Sequence, residues 1–277
     1  MTTSNLSNEL VVLDIGTHKA QELRVLYGDR IYILFSYLWW WFDWGMRIVK
    51  RLIRYNGMIQ YGSGAYVVSP IKFPFDKHMK YFKQFFLPKN YLNNIKVISI
   101  DPMTIVTDKY IKKMQQKVQA HYVPIAILPH DGINKSQMVK FYVTKNSLSS
   151  SLYQNKLDDL QEVIVPAFEL GELLDGLIDV KVLERECRFI VRMNCEGSEL
   201  AVINSLLSRG SEFRHILGSI ADVGKKHGME VETEMNDIMD KNRVNFAYYK
   251  GSDPSTWHTA FDLFESECST DTKKNKL

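Results

Sequence analysis

Apolar, β-branched runs alternate with stretches of helical spacing along most of the chain. Strand-like runs lie at Val11–Ile15, Lys96–Ile100, Val123–Leu128, Val139–Thr144, Val163–Phe168 and Phe189–Met193, with two more at His215–Ile220 and Asn245–Tyr249. Apolar residues three and four apart predict helices at Thr104–Gln119, Leu170–Leu183, Glu199–Leu207 and Glu232–Lys241. The alternation predicts an α/β fold of βαβ units on a mostly parallel sheet. No helical pattern separates Val139–Thr144 from Val163–Phe168, so a local antiparallel pair is expected there. The closing run "NFAYYKG" reads as an antiparallel edge strand.

Composition bounds this picture. With 277 residues, 45% of them hydrophobic, the chain can bury a sizeable core and is not a disordered segment. Cys187, Cys195 and Cys268 have neither the spacing of a disulfide framework nor a histidine pattern for zinc, so no metal is expected. A reducing, cytoplasmic setting follows as the expectation. The first ten residues, "MTTSNLSNEL", lack the basic start and apolar run of a secretory signal. The polar residues 264–277 lack periodicity and read as a disordered tail.

Charge is unevenly spread. Residues 31–96 carry ten Lys or Arg against Asp43 and Asp76, a balance of +8, whereas the whole chain is +3. The same 66 residues hold 18 aromatics, four of the five tryptophans among them. Within "IYILFSYLWWWFDWGMRIVKRLIRY" an uncharged run of 12 residues, 31–42, is followed by Arg47, Lys50, Arg51 and Arg54 at helical spacing. That run is short of the ~20 residues that span a bilayer. The segment reads as a lid or subdomain, as a membrane-interface contact through residues 31–55, or as an oligomer interface. Single-stranded nucleic acid also uses basic aromatic grooves, but no nucleic-acid motif is present.

In an open parallel sheet, ligands bind outside the carboxyl ends of the strands. The strand ends here are Asp14-Ile15-Gly16, Asp101-Pro102, His130-Asp131-Gly132 and Asn194-Cys195-Glu196-Gly197. Turn-forming Asp and Gly also occur at such ends for structural reasons alone. A carboxylate at the end of the second strand, Asp101, suits the two hydroxyls of a ribose. Such an acid normally follows the glycine turn by about 20 residues. The basic aromatic insertion, 31–95, accounts for the excess separation here.

Taken in order, "VVLDIGTHKA", "VISIDP", "IAILPHDG", "VKFYVTKNSLSSSLY", "VIVPAFELGELLDGL" and "FIVRMNCEGSEL" resemble the FkbM-type methyltransferases over residues 10–20 and about 96–250. The resemblance implies a single methyltransferase-like domain, 1–277, with a Rossmann-like, mostly parallel seven-stranded sheet and an antiparallel edge strand. It implies S-adenosylmethionine as cofactor and O-methylation of a sugar-like, small-molecule or glycan acceptor. Asp14, Gly16 and Thr17 would pass beneath the methionine part of the cofactor, and Asp101 would hold the ribose. The turn at His130 and Asp131 would border the adenine, and Asn194 stands where the family's strand-ending Asp lies. Glu196 and Glu199 would correspond to two glutamates beside the reaction centre.

The chain departs from the family pattern at His18, which replaces Asn, at Ala20, which replaces Gly, at Asn194 and at Gly171, which replaces an acid. S-adenosylmethionine has no pyrophosphate to cradle, which relaxes the need for further glycines in the first turn. Methyl transfer to a hydroxyl is helped by a base that takes its proton. Glu196 is the first candidate, with His18 and His130 as alternates. The competing reading is a catalytically degenerate protein of the same fold that binds a glycan, membrane surface or nucleic acid through the insertion.

Overall fold

The computed structural model describes residues 9–17, 19–54, 88–128, 136–144, 160–195, 198–209, 212–218, 223 and 227–274. The chain divides into two compact units. Residues 1–21 and 92–249 form the first, and residues 22–91 and 250–277 the second. The segment expected as an insertion therefore falls mainly in the second unit, which also takes in everything from Lys250 onward.

The first unit is built on a sheet of six strands. These are β1 (Glu9–Ile15), β2 (Lys96–Ile100), β3 (Ala120–Val123), β7 (Cys187–Met193), β8 (Glu212–Gly218) and β9 (Asn245–Tyr248), in the order β3-β2-β1-β7-β8-β9. Every neighbouring pair is parallel. Their apolar runs do not alternate because both faces of a parallel sheet are covered. One face, carrying Val11, Leu13, Ile98, Val191 and Ile216, packs with Leu170 and Leu174 of α4 (Leu170–Asp179), Val202 and Leu206 of α5 (Glu199–Ser208) and Met235 and Met239 of α6 (Met229–Lys241). A further helix, α3 (Thr104–Gln115), lies against β3.

A smaller sheet has the order β4-β6-β5, from β4 (Ala126–Leu128), β5 (Ser136–Thr144) and β6 (Leu160–Glu169). β5 and β6 are antiparallel over their whole length, as the missing helix between them requires. The single strand expected over Val123–Leu128 is instead two strands in two sheets. Pro124 stands between them without an N–H to continue the ladder.

Two further expectations are corrected. The main sheet has six described strands rather than seven, and β9 runs parallel to β8 rather than antiparallel. The crossover helix α6 lies in the connection and returns the chain to the same end of the sheet before β9 begins.

The second unit contains α1 (Gln21–Leu26, except its first residue), α2 (Arg30–Arg54), the segment 88–91, a short turn of 3-10 helix at Pro254–Thr256 and α7 (Trp257–Lys274). Asp29 caps α2: its Oδ1 accepts the Tyr32 N–H at 3.3 Å. Arg24 and the Tyr27 hydroxyl hold its other oxygen at 2.9 and 3.1 Å. The core of the unit is aromatic. Tyr91 stacks on Phe261 with centroids 4.8 Å apart, and Tyr37 meets Trp257 edge-on at 5.1 Å. Burial pushes the Tyr37 hydroxyl up to about 12.

The disordered tail expected from residue 264 is thus helix as far as Lys274, because Trp257, Phe261 and Phe264 recur at helical spacing and are fully buried. Phe264→Ala is expected to lower stability by about 3–5 kcal/mol in urea unfolding, the cost of a large cavity. A residue of a solvated tail would change it by less than about 0.5 kcal/mol.

Candidate functional site

The order of the main sheet reverses between β1 and β7, and the crevice at that point is where an open α/β sheet takes a ligand. Three strand ends meet there. The Gly16 N–H donates to the Ile100 carbonyl at 2.9 Å, which ties the turn after β1 to the last residue of β2, next to Asp101. The Asn194 N–H donates to the Ile15 carbonyl at 3.1 Å, which ties the exit of β7 to the same turn. Gly16 has φ +75, and a Cβ there would overlap the Asn194 carbonyl oxygen. On the other side of β7, Gly218 has φ +141, and a Cβ there would overlap the Met193 carbonyl oxygen. Both positions need glycine for close approach as well as for backbone angle.

A polar row crosses the sheet one residue below this edge. The register sets Tyr122 of β3 beside Ser99 of β2, Ser99 beside Asp14 of β1, and Asp14 beside Arg192 of β7. Asp14 and Arg192 are buried, at 0% and 1% side-chain exposure, and the Arg192 Nε lies 3.0 Å from the Asp14 carboxylate. The same guanidinium donates from one terminal nitrogen to the carbonyls of Ile15 at 3.1 Å and Gly16 at 2.8 Å. Arg192 therefore neutralises Asp14 and anchors the turn above it. Thr17 adds a hydrogen bond from its hydroxyl to the Asp14 carbonyl at 3.2 Å.

Ala20 closes the turn, its N–H donating to the Thr17 carbonyl at 2.7 Å, with φ 51. Alanine held in this left-handed region costs on the order of 1 kcal/mol that glycine would not.

Asp101 is nearly buried. Its Oδ1 accepts the Met103 N–H at 2.7 Å, an Asx turn that leads into α3. The Tyr122 hydroxyl donates to the Asp101 carbonyl at 2.7 Å. Burial first, and the Asp101 charge second, hold that phenol protonated far above its ordinary range. The carboxylate is thus fixed in orientation at the end of β2.

At the exit of β7, Glu199 is fully buried in the first turn of α5, and its Oε1 accepts the Cys195 N–H at 3.2 Å. It braces the turn from Asn194 to the helix. Asn194 is half-buried at the edge itself.

Of the residues expected from sequence, Asp14, Gly16, Thr17, Asp101, Asn194 and Glu199 are therefore gathered at one edge of the sheet. His18, His130, Asp131 and Glu196 lie outside the described residues. Among the described residues no cluster of His, Cys, Asp and Glu has the makings of a metal site. Sequence reading passed over Arg192. The available signal was a charge inside the apolar run "FIVRM", at a strand position that a two-sided core should fill with a hydrophobe. No protein-family model, curated protein or solved structure matches the chain.

Breaking the buried pair leaves an uncompensated charge. Arg192→Met and Asp14→Leu are each expected to cost about 3–5 kcal/mol, and the double variant considerably less than the two together. Urea unfolding of the four proteins closes the cycle. Strictly additive losses would show that the two side chains do not act as a pair.

Proposed function

We propose that the chain is an S-adenosylmethionine-dependent O-methyltransferase with a Rossmann-like sheet, acting on a hydroxyl of a sugar-like, small-molecule or glycan acceptor. The observation that carries this reading is the convergence of the Gly16 turn, Asp101 and Asn194 at the point where the strand order reverses. The six-stranded order, counted within the sheet, is 3-2-1-4-5-6, the doubly wound arrangement that binds nucleoside-type cofactors at this place. The sequence resemblance to FkbM-type enzymes narrows the cofactor.

The donor set fits that cofactor. A fixed carboxylate at the end of β2 suits a ribose diol, and a first turn without repeated glycines suits a ligand that has no pyrophosphate. When bound, S-adenosylmethionine supplies an electrophilic methyl group. Asp101 would hold the ribose hydroxyls, and the Asp14–Thr17 turn would support the methionine portion. Asn194 would present a neutral amide beside it, where the resembled family has an acid. Glu196 would take the proton of the acceptor hydroxyl as its oxygen is held in line with the methyl group.

The second reading, a binding protein that no longer transfers methyl groups, has two observations in its favour. Glu199 is committed to the Cys195 N–H inside the fold, and Asn194 brings no charge to the edge.

Calorimetric titration separates the outcomes. S-adenosylmethionine and its demethylated product should both bind, and Asp101→Asn should weaken binding by roughly 10–100-fold, the worth of a charge-assisted hydrogen bond. That variant keeps an oxygen able to accept from Met103. Glu196→Gln should leave binding unchanged and lower turnover by about 10²–10⁴-fold. Absence of binding by either compound rejects the proposal, and binding without turnover over a broad acceptor panel favours the second reading.

A further inference from the structure

The second unit carries a surface of its own, distinct in composition from the sheet edge. Large apolar side chains of α2 are exposed at positions 31, 34, 35, 38, 42, 46 and 49, the spacing of one continuous helix face. Phe35, Trp39 and Phe42 are 64%, 68% and 59% exposed. Isolated exposed hydrophobes are ordinary, but an unbroken stripe along a helix of about 38 Å is an interaction surface. The opposite face explains why the helix is nonetheless held in place: Ile33 and Tyr37 are buried, Tyr37 against Trp257.

The sequence of the helix names the chemistry of the partner. α2 contains Arg30, Arg47, Lys50, Arg51 and Arg54 against Asp43 alone. Positions 47, 50, 51 and 54 follow one another at three- and four-residue steps on the side of the helix away from position 49. The result is an aromatic and aliphatic face with a basic opposite face toward its carboxyl end. This is the pattern of helices that lie in a membrane interface. Tryptophan is suited to headgroup depth, and lysine and arginine reach lipid phosphates. No helix among the described residues is long and apolar enough to cross a membrane. A second copy of α2 would bring apolar surface but only the acid of Asp43 to meet its cations. An anionic lipid surface brings both.

We propose that the exposed face of α2 docks the protein onto an anionic lipid surface, with the helix lying in the headgroup plane. This does not depend on the identity of the cofactor at the sheet edge.

The test is flotation of the full chain with phosphatidylcholine vesicles, with and without about a third phosphatidylserine. The chain should float with the anionic vesicles and bind the neutral ones at least about tenfold more weakly, with binding to the former falling as salt is raised. Phe35→Glu/Phe42→Glu should abolish flotation, and Lys50→Gln/Arg51→Gln should weaken it by about tenfold or more. Phe35 and Phe42 lie off the buried face, and unchanged thermal unfolding of both variants shows that lost binding is not lost folding. Failure of the parent to float with either vesicle overturns the proposal, as does equal binding to both or unchanged binding by Phe35→Glu/Phe42→Glu. A parent that is dimeric by light scattering, does not float, and becomes monomeric in Phe35→Glu/Phe42→Glu would assign the stripe to a second copy instead.

Discussion

Asp14 and Arg192 face each other across the two strands between which the strand order of the parallel sheet reverses, and both are sealed from solvent. A lone carboxylate at that place would be costly, because burial disfavours the charged form. Arg192 removes that cost and donates from one terminal nitrogen to the carbonyls of Ile15 and Gly16. One guanidinium thus links the interior of the sheet to the shape of the turn above it. The positions of Gly16, Thr17 and Asn194 follow from this link, as does the close approach of the β7 exit.

The edge is therefore built from below. Ser99, Asp14 and Arg192 form a row across three central strands, and the residues able to meet a ligand stand one step above it. Tyr122 extends the row to β3 and holds the backbone of Asp101 from the side. Glu199 does the corresponding work at β7 by fixing the turn into α5. Asp14, Glu199 and Asp101 each hold groups of the protein itself, Asp101 through the Met103 N–H, whereas Asn194 stands half-buried at the edge. The backbone of the edge is thus held from within the sheet rather than by the loops above it.

Much of this was legible in the sequence. The central strands β1, β2 and β7 are apolar runs broken near their ends by single polar residues, Asp14, Ser99 and Arg192. The antiparallel pair β5 and β6 followed from a connection that lacks a helix. What was missed depended on residues far apart or on signals given too little weight. Arg192 stood out as a charge in an apolar strand, but its partner Asp14 is brought beside it only by the register of β1 and β7. The direction of β9 was implied by the helix that precedes it, since a crossover helix leads to a parallel strand. Pro124 announced the break between β3 and β4. In α7 the helical spacing of Trp257, Phe261 and Phe264 was hidden behind the polar composition of the residues that follow.

The second unit is assembled from two ends of the chain. The buried hydrogen bond from the Gly251 N–H to Glu22 joins residues 229 positions apart, and Tyr37 waits for Trp257 across a similar span. At ribosomal speed that interval is roughly 10–45 s. Throughout it the aromatic side chains of α2 have been made while their covering helix has not, on both the face destined for the interior and the face that stays outside. The nascent chain is accordingly at its most adhesive before its last 28 residues, 250–277, are available. The interior face of α2 is thus left without its covering helix for the interval that the order of synthesis sets.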